Sequence, residues 1–554
     1  MDDRTIVHTE TSPDQTVGVA LPREQLEHVA RRPTGQNVPH VAVESDDRLQ
    51  ELLRRRSPVT CLPPEILAYI FELFVSRFGE LTHAQGPVCL AQVCKLWRAV
   101  AESDPHLWTS IHFYVPESQS REEDVPRVKP VFDLHLKRSG ALPISLTFTD
   151  HRIYHPATED LISLLVDRLR MHARRWKRIS LQLSCGYFPN LFTFTSCDLS
   201  SLEHIYISGD VVITYRTTEL PLNLESATNL KSFTYSGPRP PLSDSIHLHW
   251  ESLAEVSFEF APHCGRSFTL SRQFWHLAQC QNISICSLGI DRPWGLNAGQ
   301  TITLPCLQTL RVRRLSPGAH ARGAIDLLIL PQLQTLEIDA STIVIVNEHW
   351  HDRNFSDLLT RSGCTLLHLS IQDVDFPNDE LVRCLAVSPA LRTLRFIPCP
   401  RSQNISDVIR KMDVSHTPTG GQTQTRGHRQ RSVSHSGPLV PQLREITLAS
   451  SVEGYLDLMT AMFRSRVGAR PRAAGVAALR RVQVVFFDLW HDTDVDRVRI
   501  PGARLGRIVS FREDLARWVS ENRNENGQED EDWYRLEASV VVDSPYLAEY
   551  INVR

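Results

Sequence analysis

The chain has 554 residues, a formal net charge of −4 and an apolar share of 42%. This length allows several ordinary domains, or one small domain followed by an array. The apolar share is close to the globular norm, so a large core is available, and the small net charge gives no indication of nucleic-acid or membrane affinity. No stretch approaches the roughly 18 apolar residues that span a bilayer, and the polar start MDDRTIVHTE is unlike a signal peptide.

The 12 cysteines are scattered along the chain and include no CxxC pair. Many lie in apolar contexts, where a thiol packs as a small hydrophobic group. We therefore favour free, buried thiols in a reducing compartment over disulfides, and we expect a cytoplasmic or nuclear location. The cysteines in apolar contexts are Cys61, Cys94, Cys280, Cys286, Cys306, Cys364 and Cys384.

The N-terminal part of the chain is polar and lacks apolar periodicity. Residues 1–45 have prolines scattered through them, and we predict that this tail is disordered. Residues 46–56, DDRLQELLRRR, are a short charged helix candidate that leads into the next segment. We group this helix with the segment that follows as one unit, residues 46–112.

The strongest helical pattern runs from Leu62 to Trp108. Pro63 and Pro64 suit a first helical turn, and Glu65 adds a negative charge where the helix dipole favours one. The apolar residues that follow form a stripe wider than one packing face of a short helix needs. A second helical pattern spans residues 87–101 and ends before Leu107 and Trp108. The stripe consists of Ile66, Leu67, Ile70, Phe71, Leu73 and Phe74.

The sequence LPPEILAYIFELF, followed by LAQVCKLWRAVAESDPHLW, resembles the F-box, the three-helix motif of ubiquitin-ligase substrate receptors. The resemblance implies docking on a helical Skp-type adaptor, and through that adaptor on a cullin. It also implies that Leu107 and Trp108 join the module to the rest of the chain. An ordinary helical hairpin without a partner is the alternative. The residues that the resemblance assigns to adaptor binding are Leu62, Pro63, Glu65, Ile66, Leu67, Ile70, Phe71, Phe74, Val93, Cys94 and Trp97.

After a charged linker, predicted at residues 113–140, a six-residue phrase recurs: apolar, two variable, apolar, one variable, apolar. Its period of ~26 residues is typical of leucine-rich repeats. Its last three positions alternate between apolar and variable residues, as a half-buried strand requires. The interval from Leu391 to Leu443 is about twice the period, which indicates one obscured unit. The phrases begin at Trp176, Leu202, Leu230, Leu253, Cys280, Leu307, Leu333, Leu366, Leu391, Leu443 and Leu479.

Helical patterns lie between several phrases, so the predicted class is α/β: an N-terminal three-helix F-box followed by an irregular leucine-rich-repeat solenoid of parallel strands and helices, residues 141–490. A plain α/β domain is the alternative. The whole resembles divergent F-box proteins of the leucine-rich-repeat type found in mushroom-forming fungi. Exposed strand positions are the candidates for binding a target, with a merely solvated face as the alternative. These positions are Arg311, Arg313, Glu337, Asp339 and Arg395.

Two stretches depart from the repeat pattern. Residues 414–436 are rich in Gly, Thr, Gln, Ser and His, and we predict a disordered insert there. Residues 491–554 contain a helix candidate from Phe511 to Glu521, an acidic loop, and a strand candidate from Leu536 to Val542. This C-terminal part is interpreted either as a cap on the last repeat or as a tail over the concave face.

No sequence motif indicates catalysis. The chain lacks the glycine-rich phosphate-binding patterns, GxSxG, HExxH and any Cys/His cluster with zinc spacing, so we predict no cofactor and no metal. The expected function is the substrate-recognition subunit of an SCF-type cullin ubiquitin ligase, with an unknown target protein and neither nucleic acid nor membrane as a partner. A non-catalytic leucine-rich-repeat scaffold outside any ubiquitin ligase is the alternative.

Overall fold

The computed structural model describes residues 62–77, 86–115, 125–150, 156–184, 199–210, 222–237, 246–260, 276–289, 301–313, 325–339, 354–374, 376–398, 405–413, 439–450, 456–466, 476–477, 479–487 and 537–543, and the single positions Phe511, Glu513 and Arg517. The chain divides into two units, Met1–Ile66 and Leu67–Arg554. The predicted disordered tail (residues 1–45), lead-in helix (residues 46–56) and insert (residues 414–436) lie outside the described residues, as does most of the helix candidate at residues 511–521.

A long parallel sheet forms the main body of the described chain. Fourteen strands join it in the order in which they occur in the sequence, and two pairs of short strands form separate two-stranded sheets. The strands of the long sheet are β1 (Ser110–Val115), β2 (Ile144–Asp150), β3 (Trp176–Ser184), β4 (His204–Asp210), β6 (Ser232–Gly237), β8 (Glu255–Phe260), β9 (Ile285–Gly289), β11 (Thr309–Arg313), β13 (Thr335–Asp339), β14 (His368–Val374), β15 (Thr393–Pro398), β16 (Glu445–Ser450), β17 (Arg481–Phe487) and β18 (Glu537–Asp543). The short pairs are β5 (Leu222–Asn223) with β7 (Ile246–His247), and β10 (Ile302–Thr303) with β12 (Leu328–Ile329).

The helices lie at the N-terminal end of the described chain and between the strands of its later part. Parallel neighbours need a crossover connection, and the helices supply some of these crossovers. The four helices between residues 354 and 465 contact one another consecutively, so they form a layer of their own. The helices are α1 (Pro64–Arg77), α2 (Gly86–Val93), α3 (Lys95–Ser103), α4 (Val125–Arg138), α5 (Pro156–Met171), α6 (Asn354–Ser362), α7 (Asn378–Ala386), α8 (Ser406–Met412) and α9 (Leu456–Ser465).

The repeated phrase sets the register of the sheet. Its last two apolar residues lie on one face of each strand: Leu310 pairs with Leu336, and Val312 pairs with Ile338, across β11 and β13. All four side chains are buried. The predicted α/β class with a long parallel sheet is therefore confirmed, and the arrangement is consistent with a solenoid-like repeat.

The sheet begins earlier than the sequence predicts. Residues 113–140, predicted to be a linker, contain the end of β1 and the whole of α4. Ile111 of β1 pairs with Leu146 of β2, which aligns with Ile179 of β3, so two further units precede the first recognised phrase. The β1 phrase begins at Trp108, which already belonged to the F-box pattern, and the β2 phrase has Pro143 where the first apolar residue should stand.

The structure corrects two details of the predicted repeats. Val256 pairs with Cys286, so the phrase assigned to Cys280 begins three residues later, at Ile283. Both readings fit the pattern, because apolar residues also precede this strand. Furthermore, Leu394 of β15 pairs directly with Ile446 of β16, so no obscured unit lies between Leu391 and Leu443.

The C-terminal strand candidate is a member of the same sheet. β18 pairs in parallel with β17, with Val484 opposite Val540. Residues 537–543 therefore extend the array by one strand, whereas the sequence predicted a cap or a tail. The long interval after β17 hid this strand.

Arginines in three separate units satisfy backbone carbonyls of the unit before. Arg175 donates from Nε to the carbonyl of Leu142 over 2.9 Å, and Arg361 donates from Nε to the carbonyl of Leu328 over 3.1 Å. Arg466, which follows α9, likewise donates from its Nε to a carbonyl of the preceding unit. A turn between units leaves carbonyls without a partner, and the guanidinium fork supplies several donors at once.

Arg466 is the most enclosed of these arginines, because its side chain is fully buried. Its Nε donates to the carbonyl of Met412 over 2.8 Å, and its other two nitrogens donate to Val440, over 3.0 Å, and Leu439. Burial lowers the pKa of the guanidinium to about 10, and the charge of Asp413 opposes that shift. Arg466 therefore remains charged near neutrality and holds together the two chain positions that flank residues 414–438.

A buried carboxylate joins the helix layer. Glu380 of α7 accepts from the backbone N–H of Ser356 over 2.8 Å and from its hydroxyl over 3.1 Å, in the first turn of α6. Arg383 donates to the same carboxylate over 3.0 Å. The first N–H groups of a helix have no partner inside it, so Glu380 caps α6 from the next helix.

We predict that Arg466→Met lowers the free energy of unfolding by about 3 kcal/mol, because it leaves three carbonyls without their donor. Arg464→Met, at an exposed position on α9, is the matched control and should change it by less than about 0.5 kcal/mol. Urea unfolding followed by circular dichroism measures both. Equal midpoints for the two variants would contradict the role given to Arg466.

Candidate functional site

Helix α1 has two apolar faces, and one of them packs inside the protein. Leu67, Phe71 and Val75 follow at a spacing of four residues and are buried. They form a core cluster with residues of α2, α3 and the 3-10 turn that follows, and the ring of Phe71 lies 4.9 Å from that of Trp97. This cluster accounts for about half of the apolar stripe found in the sequence. The partners of the three residues in the cluster are Leu90, Val100, Ala101, Leu107 and Trp108.

The other apolar face of α1 is open to solvent. Tyr69, Ile70 and Leu73 are exposed to 59%, 43% and 53%, and Ile66 is exposed one turn before Ile70. These four residues follow the i, i+3, i+4, i+7 spacing of one helical face. Contiguous exposed apolar side chains are typical of surfaces that contact a protein, a membrane or a ligand, so this group is a candidate binding surface. We call this group the α1 face.

The eleven residues that the resemblance assigns to adaptor binding fall into three groups: exposed, half-buried and buried. The buried residues cannot contact a partner directly. Tyr69 and Leu73, exposed on the α1 face, were not among the eleven, although their helical spacing from Ile66 and Ile70 could have identified them. The exposed members of the eleven are Pro63, Glu65, Ile66, Ile70, Val93 and Cys94; Leu62, Phe74 and Trp97 are half-buried, and Leu67 and Phe71 are buried.

Cys94 has a structural role that the sequence did not indicate. The predicted helix over residues 87–101 is divided into α2 and α3, and Cys94 stands between them in an extended conformation. Its exposed Sγ accepts from the backbone N–H of Trp97 over 3.5 Å, as an N-cap of α3. The division turns Val93 outward, where it is 58% exposed.

Trp108 joins the helical module to the sheet. It is buried, and its indole N–H donates to the carbonyl of Ala101 over 2.7 Å. The ring of His135, on α4, stands edge-on at 4.9 Å, and the guanidinium of Arg138 lies 5.0 Å from the indole centre. Arg138 also pairs with Glu102 of α3 over 2.9 Å. Helix α4 therefore contacts the end of the module through Trp108 and through the ion pair between Arg138 and Glu102.

His135 is neutral in this setting. Burial lowers its pKa to about 4, and the nearby His112 lowers it further, while a hydrogen bond with the backbone of Trp108 acts in the opposite direction. His276, stacked on Trp250 at 4.3 Å, has its pKa lowered to about 4 by burial. Both histidines must gain a charge in a buried position if the folded protein is acidified.

The predicted target-binding residues lie on the solvent face of the long sheet. Arg311 and Arg313 on β11 stand opposite Glu337 and Asp339 on β13. Arg311 pairs with Glu337 over 3.0 Å. Arg395 lies on β15, separated from β13 by β14, and is exposed. Four of the five residues therefore form one charged group, and Arg395 belongs to another part of the face.

Arg313 reaches across a whole strand. It pairs over 2.9 Å with Glu259 of β8, although β9 lies between the two strands. Gly289 of β9 pairs with Arg313 in the strand register and carries no side chain. The solvent face here therefore carries its own ion pairs.

The titratable groups described in the structure do not form a reactive cluster. Burial raises the pKa of the Cys280 thiol to about 12 and that of Cys286 well above its usual range, so both stay protonated and are weak nucleophiles. Across the described ranges, no group of three or more His, Cys, Asp or Glu residues could hold a metal ion. No helix among the described residues is long and apolar enough to cross a bilayer.

Comparison with protein families places one domain on this chain. Residues 59–114 match the F-box-like family model. The matched range contains the α1 face and the buried cluster beneath it, and ends within β1. Nothing among the curated proteins matches the chain. The F-box-like domain indicates an adaptor role in ubiquitin ligation.

We predict that acid weakens the fold between pH 6.5 and about 4. In that range the unfolded chain binds more protons on His135 than the folded protein does, so the free energy of unfolding falls as the pH falls. The contribution of neutral His135 to the free energy of unfolding is fully present above pH 6.5 and amounts to about 3 kcal/mol at most. His135→Phe keeps an aromatic ring against Trp108 and should reduce this pH dependence.

The measurement is urea unfolding at a series of pH values. His106→Phe is the control, because His106 is exposed, and it should leave the pH dependence unchanged. An identical pH dependence for His135→Phe and the wild type would show that another group is responsible.

Proposed function

We propose that this protein is the substrate-recognition subunit of an SCF-type cullin ubiquitin ligase. The α1 face docks on a Skp-type adaptor, which links it to a cullin. The solvent face of the long sheet binds the target protein. This role requires no metal-ligating or catalytic residue of the chain, because the ubiquitin-transferring enzyme catalyses the transfer.

The observation that carries the proposal is the exposed apolar face of α1 within the range matched by the F-box-like model. A helix of 14 residues would not leave Tyr69, Ile70 and Leu73 in water unless that surface had a partner. Burying these three side chains with Ile66 would stabilise a complex by several kcal/mol, since a fully buried large apolar side chain contributes about 1.5–3 kcal/mol. The buried cluster beneath α1 keeps the face rigid.

The long sheet supports the second half of the proposal. We interpret it as an irregular leucine-rich-repeat array, whose core phrase leaves the solvent-facing positions free to vary. Arg311, Arg313, Glu337, Asp339 and Arg395 are our proposed contacts with a target. Rigid parallel strands hold the backbone of these residues at fixed spacings, which reduces the conformational entropy lost on binding.

The contribution of the protein to ubiquitin transfer is proximity. A target bound to the sheet is held near the transferring enzyme, which raises the effective concentration of its lysines. The joint at Trp108 fits this role, because the module and the first strands share a residue rather than a flexible connection.

We predict that Ile70→Asp combined with Leu73→Asp weakens adaptor binding at least ~100-fold, or about 3 kcal/mol, because it places two charges in an apolar interface. The fold should persist, since both side chains are exposed. Capture of a purified Skp-type adaptor by the full chain measures binding, and circular dichroism monitors the fold.

The matched control is Met171→Asp combined with Val387→Asp, which charges the exposed large apolar residues outside the module. It should bind the adaptor as the wild type does. Leu67→Asp should instead unfold the module, because Leu67 is buried. Failure of the folded wild type to bind the adaptor would reject the ligase role and leave a scaffold outside ubiquitin ligation.

A further inference from the structure

A row of arginines crosses three adjacent strands near the C-terminal end of the sheet. The backbone N–H of Arg444 donates to the carbonyl of Arg392 over 2.8 Å, and that of Arg480 donates to the carbonyl of Arg444 over 2.6 Å. These residues stand just before β15, β16 and β17, where neighbouring strands are about 4.8 Å apart. Arg392 and Arg480 are exposed and Arg444 is half-exposed. We call this row the arginine ladder.

The strands around the ladder contain little negative charge. Residues 388–398, 439–450 and 476–487 have Glu445 as their one carboxylate in sequence. Glu445 forms an ion pair with Arg481 over 3.7 Å. In the strand register Arg481 also stands opposite Glu537 of β18. Within the described part of the chain, neither Arg392 nor Arg444 pairs with a carboxylate, although several other surface arginines do.

The equivalent backbone position carries different charges in earlier strands. The ladder position holds Lys177, within β3, and Glu203 and Lys231, just before β4 and β6, and these residues are linked by the same backbone hydrogen bonds over 2.9 and 2.8 Å. There the signs alternate, so neighbouring side chains attract one another. Like charges directly opposite on adjacent strands are destabilising. Successive arginines therefore weaken the free protein slightly, and an anionic partner would remove that penalty.

We propose that Arg392 and Arg444 of the arginine ladder, together with Arg395, bind an acidic segment of the target protein, a run of aspartates and glutamates in extended conformation. This inference rests on the proposed function and assigns a chemical class to its target. The arginine fork binds carboxylates with two parallel hydrogen bonds.

A protein segment fits this surface better than a nucleic acid does. The ladder is a single short row on a chain of net charge −4, and a polyanion as large as a nucleic acid would meet repulsion from the remaining surface. A short acidic segment contacts the arginines alone. Its binding should be salt-dependent, because the arginines are at the surface.

The test uses the full chain and a fluorescein-labelled peptide of about twelve residues with a central run of glutamates, followed by fluorescence anisotropy. The wild type should bind it, more weakly at about 300 mM than at about 50 mM NaCl. Arg392→Gln combined with Arg444→Gln should weaken binding at least about tenfold. The same peptide with glutamines in place of glutamates should not bind.

The matched control is Arg410→Gln combined with Arg464→Gln, which removes the same charge from exposed positions on α8 and α9. It should change the affinity by less than about twofold. Equal weakening by the two double variants would overturn the proposal, since it would show a general charge effect. Binding of a phosphoserine peptide or a single-stranded oligonucleotide, without binding of the glutamate peptide, would also overturn it.

The chain itself contains the acidic run Glu529, Asp530, Glu531 and Asp532. Binding of the peptide only after these glutamates are changed to glutamine and these aspartates to asparagine would show that the chain's own segment occupies the ladder. That result would overturn the proposal of an external acidic partner. Capture of the Skp-type adaptor is measured separately and should be unchanged in the ladder variant. Loss of adaptor capture with peptide binding intact would reject the ligase role and keep the acidic partner.

Discussion

The structure depends on one constraint: each strand of the long sheet must place its two core residues in register with those of both neighbours. A single unit of this kind buries too little surface to fold alone, and stacking supplies the rest. Because side chains alternate along a strand, a shift of one residue would expose the core row and bury the polar row. The pairing of Leu310 with Leu336 and of Leu336 with Leu369 shows this register carried through successive units.

The constraint acts on few positions, and the rest of each unit varies. The connections differ in length and in content: some contain a helix, and others a short strand. Their backbone polar groups still need partners, and long polar side chains supply them where the secondary structure does not. Arg175, Arg361 and Arg466 do this for carbonyls, and Glu380 does it for the N–H groups of α6. These contacts bridge neighbouring units, so they hold irregular connections against a regular sheet.

The solvent face of the sheet follows from the same freedom. Its residues contribute little to the core, so charge can be arranged along it without loss of the fold. Ion pairs between strands neutralise the region of Arg311 and Arg313, whereas Arg392 and Arg444 of the arginine ladder pair with no carboxylate in the described part of the chain. In the N-terminal module, α1 packs one face inward through Leu67 and Phe71 and turns the other outward. A helix with an exposed apolar face and a charged sheet are thus combined, and Trp108 joins the two parts.

The sequence by itself determined the strand positions, because a buried strand requires its apolar residues at fixed spacing: Leu333, Leu336 and Ile338 could be placed without coordinates. It also determined that α1 had more apolar surface than one packing face needs. Tertiary structure alone decided which of those residues face inward, since Leu67 and Ile70 are alike in composition and differ only in their neighbours. It alone added β1, β2 and β18 to the sheet, because Pro143 interrupts the phrase of β2 and a long interval separates β18 from β17. It also brought Arg466 to the carbonyls of Met412 and Val440, and aligned Arg392, Arg444 and Arg480 in one row, because such contacts arise from chain positions that no local spacing relates.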